Sequence, residues 1–252
     1  MQEKENYFKL DTVTWGFHLD KQKEIKNNIL YRSNNYGYRC DDFVDQHNKK
    51  HIIFSGCSMT AGNGLEEFET WPRFLYDDLN KNNDYSGYFN LAISGHTVEK
   101  IINNLFKYFR LFGNPQIIFL LLPPIDREQQ NVDHEKLFFY NYLKLDQYCL
   151  TNKIELITTF WESNKTKLSN KKNFFEPNFT IHPVFNNFNT IFFPNSKQWL
   201  TYATEYVQLN KNNQRVYLAN DKFDNNPGHP GVFSQFASYK CFKDEYLIRI
   251  KN

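Results

Sequence analysis

Short apolar runs that are rich in β-branched and aromatic residues alternate with amphipathic helical patterns along this chain. The apolar runs occupy residues 51–55, 88–93, 115–122, 154–161 and 215–218. Helical spacing predicts helices over residues 71–79, 97–112, 133–150, 197–209 and 232–246. Strands that alternate with helices are joined by crossover connections, which favours a parallel sheet with helices on both faces. The alternation therefore predicts an α/β fold.

The length of 252 residues fits a single domain spanning 1–252. Residues 1–48 precede the first apolar run, and we expect them to form an N-terminal extension that wraps a core of residues 49–252. Residues 162–195 combine many Asn and Lys residues with seven phenylalanines. This stretch is too aromatic for a solvated linker, so we expect an insertion that packs over the edge or the mouth of the sheet.

Charge and cysteine content exclude several classes of protein. A formal net charge of +2 gives no electrostatic argument for nucleic acid as a partner. No stretch approaches the ~18 apolar residues of a spanning helix, and the charged N-terminus lacks the apolar region of a secretory signal. Four scattered cysteines without a CxxC pair predict reduced thiols in the cytoplasm or another reducing compartment. The sequence leaves the oligomeric state open.

Ligands of parallel sheets bind at the carboxyl ends of the strands, so the residues that follow each apolar run are the candidates for chemistry. The first run leads into Gly-Cys-Ser-Met-Thr-Ala-Gly at residues 56–62. Ser58 at such a turn is a candidate nucleophile, because outward-facing N–H groups there can hold a developing oxyanion; it could equally be a helix N-cap. The segment lacks the Gly-Lys-Ser/Thr of a P-loop, and Thr60 occupies a position where a GxSxG elbow requires glycine.

Two later segments carry further candidates. Gly95 follows the second apolar run and can bring a bare backbone N–H close to a ligand, although glycine in such a turn is often only conformational. His229 lies in a Pro/Gly-rich loop with Asp221 and Asp224 upstream, an arrangement that suits a base oriented by a carboxylate. His182 has the same His-Pro dipeptide but not the aspartates that precede His229.

The order of these segments resembles the SGNH/GDSL hydrolases. Residues 56–62 look like the first sequence block of that family, residues 90–95 like the second, and His229-Pro230-Gly231 like the last. Asn34–Arg39 and Glu69–Pro72 are similar to segments of bacterial and viral members. The resemblance covers roughly residues 50–245. It implies a flavodoxin-like, three-layer α/β/α sandwich with a central parallel sheet of about five strands.

The resemblance also implies a serine esterase that needs no metal or organic cofactor. Ser58 would attack an ester carbonyl after His229 removes its proton, and the N–H groups of Ser58 and Gly95 would bind the oxyanion. The implied substrates are small acyl esters, with O-acetyl groups on carbohydrate as the first choice. Trp161 and the phenylalanine-rich insertion would supply an aromatic wall for the substrate, or else belong to the core.

Three departures from the family pattern bear on this interpretation. Cys57 replaces the aspartate beside the family's serine, which raises the rival hypothesis of a Cys57–His229 pair. The third block, normally Gly-x-Asn-Asp, reads Pro-Pro-Ile-Asp126-Arg127, so its oxyanion-binding Asn is missing and Arg127 could act in its place.

The third departure concerns the acid of the triad. Asn226 stands three residues before the histidine, where the family has its acid. Asp224 is therefore the first choice to orient the imidazole and Asp221 the second. A Ser–His dyad assisted by a backbone carbonyl is a further alternative.

These departures keep two other classes of function open. One is a non-catalytic binding protein on a degenerate hydrolase scaffold, which would bind ligand without turnover and not react with a fluorophosphonate. The other is a structural or interaction module, of viral origin for example, in which the extension and the insertion mediate assembly. That module would form an oligomer that persists on dilution.

Overall fold

The computed structural model of this chain describes residues 23–26, 29–82, 84–123, 134–160 and 231–251. The strands are β1 (Lys23–Lys26), β2 (Ile29–Arg32), β3 (Ile52–Gly56), β4 (Tyr88–Asn90), β5 (Ile117–Leu122) and β6 (Glu155–Phe160). The helices are α1 (Ser58–Ala61), α2 (Trp71–Leu79), α3 (Val98–Phe112), α4 (His134–Thr151) and α5 (Val232–Lys251), with a 3-10 turn at Glu67–Glu69.

Strands β3 to β6 form one parallel sheet in the order β4–β3–β5–β6. The central strand β3 pairs with β4 on one side and β5 on the other, so that Ile52 lies opposite both Tyr88 and Ile117. These are the first four predicted strands, and the predicted α/β class is confirmed. The sequence predicts about five strands for the sheet; the fifth of them, at 215–218, lies outside the described residues.

One face of the sheet is covered by α2 and α5. Phe54 and Phe119 are register partners on β3 and β5, and their rings stack with centroids 5.6 Å apart. Trp71 of α2 meets Phe54 at 5.7 Å, and Phe242 of α5 meets Phe119 at 5.8 Å. The rings of Trp71 and Phe242 stack on each other at 4.5 Å. This aromatic cluster packs α5 against α2 and against the sheet at β3 and β5.

The opposite face is covered by α3 and α4. Side chains alternate between the two faces of a strand, so Phe89 and its register partner Ile53 point away from Phe54. Phe89 meets Tyr108 of α3 at 6.2 Å, and Phe109 of α3 stacks on Tyr148 of α4 at 5.2 Å. Helices on both faces of a parallel sheet make the predicted three-layer α/β/α sandwich.

The N-terminal part contains a feature that the sequence analysis did not predict, the antiparallel hairpin of β1 and β2. Beyond the hairpin, Tyr38 and Phe43 are buried in the core, and the Phe43 ring lies 5.4 Å from that of Tyr108. The chain between the hairpin and β3 therefore contributes to the core around α3. The proposed division into an extension, a core and an insertion at 162–195 stays a prediction, and the insertion lies outside the described residues.

Strand β4 ends at Asn90, whereas the apolar pattern continues to residue 93. Just beyond the strand the Asn90 side chain forms a local turn, because its Oδ1 accepts a hydrogen bond from the Ala92 N–H at 3.1 Å. The chain consequently turns at the carboxyl edge of the sheet. Within the described segments, no helix has both the length and the apolar character that crossing a bilayer requires.

Candidate active site

Strand β3 passes into α1 through a turn that only glycine can make. A Cβ on Gly56 would overlap Thr60 Oγ1 and would lie 2.6 Å from the Leu121 carbonyl oxygen on the neighbouring strand. The close approach lets the chain bend over the edge of the sheet and start α1 at Ser58. Ser58 is 5% exposed, and its hydroxyl has no hydrogen-bond partner within the described residues. The hydroxyl is thus held at the carboxyl end of β3 without being used in a cap.

A buried arginine fixes the far end of the Ser58 turn. Arg39 donates to the Gly62 carbonyl at 2.8 Å and to the Leu65 carbonyl at 2.6 Å, and its guanidinium lies 4.4 Å from the centre of the Tyr31 ring. Burial lowers the pKa of Arg39 from its ordinary value. The guanidinium thus binds backbone carbonyls of the segment that follows α1, a single turn of four residues. The sequence analysis did not identify this contact.

The turn after β4 is tied directly to the Ser58 turn. Asn90 Nδ2 donates to the Thr60 carbonyl at 3.0 Å, and the Ile93 N–H donates to the Gly56 carbonyl at 3.4 Å. Gly95 follows with a φ of 79°, in the region that favours glycine. The two turns that carry Ser58 and Gly95 therefore lie side by side at one edge of the sheet.

The backbone N–H groups of Ser58 and Gly95 have no acceptor within the described residues. Unpaired amides at adjacent turns are the kind of donors that can receive a developing negative charge. Because α1 is only four residues long, these local N–H groups matter more here than the macrodipole of the helix. The arrangement suits an anion that forms next to the Ser58 hydroxyl.

Helix α5 is joined to the Ser58 turn by one side chain. Gln235, in the first turn of α5, donates from Nε2 to the Met59 carbonyl at 3.0 Å, and its Oε1 accepts from the Trp71 N–H at 2.8 Å. Gln235 is buried, and its own N–H donates to the Gly231 carbonyl at 3.2 Å. The start of α5 is thereby linked, across 176 positions of sequence, to the residue that follows Ser58.

The remaining predicted site residues stay predictions, because the structure does not describe them. These are the base His229, the acids Asp221 and Asp224, the third-block residues Asp126 and Arg127, and the aromatic Trp161. The described structure brings Ser58, Gly95 and the start of α5 together.

The cysteines are all free thiols in buried or half-buried positions. Cys57 has no exposed surface and belongs to the hydrophobic core. Burial raises the pKa of Cys149 and of Cys241 to about 12, and raises that of Cys40 well above its ordinary value, so these three thiols stay protonated at neutral pH. Within the described part of the chain, no cluster of three or more His, Cys, Asp or Glu side chains could hold a metal ion.

Sequence reasoning missed four residues that build this site, namely Arg39, Asn63, Ser94 and Gln235. Asn63 had a local signal in the sequence, since it lies between two glycines. In the structure both of them, Gly62 and Gly64, have positive φ (71° and 81°). The Asn63 Oδ1 accepts a hydrogen bond from the Ser94 hydroxyl at 2.8 Å. Arg39 and Ser94 lie in segments that resemble the family, but the sequence does not indicate their contacts. Gln235 had no local signal, because its partners are set by the tertiary fold.

Solved structures that are similar to this chain over most of its length include esterases and lipases. A psychrotrophic esterase, EstA from Pseudoalteromonas sp., is 16% identical, with a TM-score of 0.47 over 81% of this chain and 100% of that one. A GDSL-like lipase from Bacteroides thetaiotaomicron VPI-5482 is 17% identical, with a TM-score of 0.37 over 78% of this chain and 89% of that one.

A member of the lipolytic protein G-D-S-L family from Veillonella parvula DSM 2008 is 14% identical, with a TM-score of 0.40 over 77% of this chain and 97% of that one. No protein-family model matches the chain. No curated protein matches it either. At these identities and TM-scores the likeness assigns no activity, which has to come from the residues of this chain.

Proposed function

We propose that this chain is an ester hydrolase of the SGNH/GDSL type, with Ser58 as nucleophile and His229 as general base. The observation that carries the proposal is the Gln235–Met59 hydrogen bond, which anchors the start of α5 beside Ser58. His229 lies two residues before Gly231 in the sequence. Since successive Cα atoms are ~3.8 Å apart, His229 Cα must lie within about 7.6 Å of Gly231 Cα. This short connection to the start of α5 supports His229 as the base of the proposed mechanism.

In the proposed mechanism His229 accepts the Ser58 hydroxyl proton while Oγ bonds to the ester carbonyl carbon. The carbonyl electron pair moves to oxygen, and the N–H groups of Ser58 and Gly95 bind that oxyanion. When the oxyanion collapses, the ester C–O bond breaks and the leaving alcohol takes the proton from His229. Water, deprotonated by His229, then attacks the acyl carbon, and Ser58 leaves as the hydroxyl with the free acid as product.

The burial of the two candidate nucleophiles supports Ser58 over the rival Cys57. Cys57 has no exposed surface and packs among apolar side chains of the core, which keeps its thiol away from a substrate. Ser58 is the first residue of α1 and lies beyond the end of the strand, beside the unpaired amides. We assign the orientation of His229 to Asp224, with Asp221 as the second choice.

We propose small acyl esters as substrates, with O-acetyl groups on carbohydrate as the first choice. The N–H donors lie on two short turns that are hydrogen-bonded to each other, which suits a compact acyl group, and Trp161 could stack on a sugar ring. Acetylated oligosaccharides and p-nitrophenyl esters of increasing acyl length test this choice. We expect kcat/KM to be highest for acetyl esters and to fall with chain length. A preference for long acyl chains would contradict the carbohydrate assignment.

Labelling with a serine-directed fluorophosphonate tests the proposed function. We expect one covalent adduct on the peptide that contains Ser58, formed by the folded protein and absent after heat denaturation. Peptide mass spectrometry locates the adduct, and Ser58→Ala serves as the unlabelled control. Ligand binding without any adduct would favour the alternative of a non-catalytic binding protein on a degenerate scaffold.

A further inference from the structure

The side chain of Asn63 is held between the two turns of the candidate site. Asn63 is half-buried, and its N–H donates to the Ser58 carbonyl at 3.3 Å. The flanking Gly62 and Gly64 both have positive φ, so the chain loops at Asn63 and stays close to the turn that begins at Ser58. Asn63 is therefore held next to the backbone of Ser58.

The Asn63 carboxamide is oriented by Ser94. Its Oδ1 accepts from the Ser94 hydroxyl at 2.8 Å, and Ser94 is 5% exposed and immediately precedes Gly95. A carboxamide has one acceptor oxygen and a nitrogen with two N–H donors. Here the oxygen is engaged, whereas Nδ2 has no acceptor within the described residues. The contact therefore anchors the carboxamide by its oxygen and leaves the two N–H groups of Nδ2 without an acceptor among the described residues.

We infer that Asn63 Nδ2 is the third donor to the oxyanion, beside the N–H groups of Ser58 and Gly95, and that Ser94 is its positioning residue. The inference rests on the proposed function. The Pro-Pro-Ile-Asp-Arg segment after β5 contains no side-chain amide, whereas Asn63 places one at the junction of the two turns that carry the other donors. As the carbonyl oxygen gains charge during attack by Ser58, this N–H bond strengthens, which lowers the barrier to the tetrahedral intermediate.

The substitution Asn63→Asp distinguishes the role of oxyanion donor from a purely structural role. The carboxylate keeps an oxygen to accept from Ser94, but it replaces the donor with a negatively charged acceptor facing the oxyanion. We expect kcat for p-nitrophenyl acetate to fall by on the order of 10²–10³, with KM nearly unchanged and the urea midpoint retained. Asn63→Ala, which loses the donor without adding charge, gives a loss of similar order.

The matched control is Asn114→Asp. Asn114 is also half-buried and its Oδ1 also accepts from a hydroxyl, that of Tyr148 at 2.9 Å. It lies before β5, at the opposite edge of the sheet from Ser58. We expect this control to leave kcat and KM unchanged, so that a loss in Asn63→Asp cannot be assigned to an Asn-to-Asp change in general.

Inhibition by methylboronic acid adds a second measurement, because its Ki would not change if Asn63 had only a structural role. Boron bonded to Ser58 Oγ gives a tetrahedral anion, and we expect its Ki to rise in Asn63→Asp by a factor similar to the loss in kcat. A wild type that is active and an Asn63→Asp variant with unchanged kcat and Ki would overturn the inference while leaving the proposed function standing. An inert, unlabelled wild type would overturn both.

Discussion

Ser58→Ala is expected to lower the turnover of p-nitrophenyl acetate by at least about 10⁴-fold, because the oxygen that forms the acyl-enzyme is removed. The substitution deletes one atom from a hydroxyl without a hydrogen-bond partner in the described residues, so the fold should persist. Steady-state kinetics, with circular dichroism and a urea titration to verify folding, measure the effect.

Two neighbouring residues provide controls for Ser58→Ala. Ser55 is a fully buried serine on β3 whose hydroxyl also lacks a partner among the described residues, and we expect Ser55→Ala to retain wild-type turnover. Cys57→Ala removes the rival thiol, and we expect activity to remain. If Cys57→Ala lost activity while Ser58→Ala retained it, Cys57 would be identified as the nucleophile in place of Ser58.

His229→Gln is the second substitution for which we expect a loss of about 10⁴-fold in kcat, since the glutamine amide cannot accept the serine proton. In the wild type, kcat/KM should decline toward acid pH, because only the neutral imidazole acts as a base. Hydrolysis of p-nitrophenyl acetate between pH 5 and 9 records both effects.

The chain contains a matched control for the histidine. His182 is likewise followed by proline, but it lacks the aspartates that precede His229, and we expect His182→Gln to leave turnover unchanged. In the same assay, Asp224→Asn should cost more activity than Asp221→Asn if Asp224 orients the ring. Equal activity of His229→Gln and wild type would remove His229 from the mechanism.

The sheet could be predicted because its strands are continuous apolar runs. Ile117–Leu122 is buried at every position, as expected of a central strand covered on both faces. The hairpin of Lys23–Lys26 with Ile29–Arg32 could not be predicted, since the first of its strands is mostly charged and the pairing depends on local backbone contacts. The apolar run overestimates the length of β4, which ends at Asn90, where the Asn90 side chain forms a local turn with the Ala92 N–H.

The residues of the candidate site likewise include some that could be predicted from the sequence and some that could not. Ser58 and Gly95 could be placed from the sequence because each follows a strand that the apolar pattern predicts. Gln235 could not, since a polar residue in a predicted helix gives no indication that its amide will bind the Met59 carbonyl 176 positions away. Likewise the Asn63–Ser94 contact exists only because the parallel register of β3 and β4 brings their following turns together.

The distance between Ser58 Oγ and His229 Nε2 in a crystal structure, preferably with a phosphonate bound to the serine, tests the account most directly. We predict a separation of about 3 Å, within hydrogen-bond reach. An imidazole on the opposite side of the sheet from the Ser58 hydroxyl would contradict the assignment of this chain as a serine esterase.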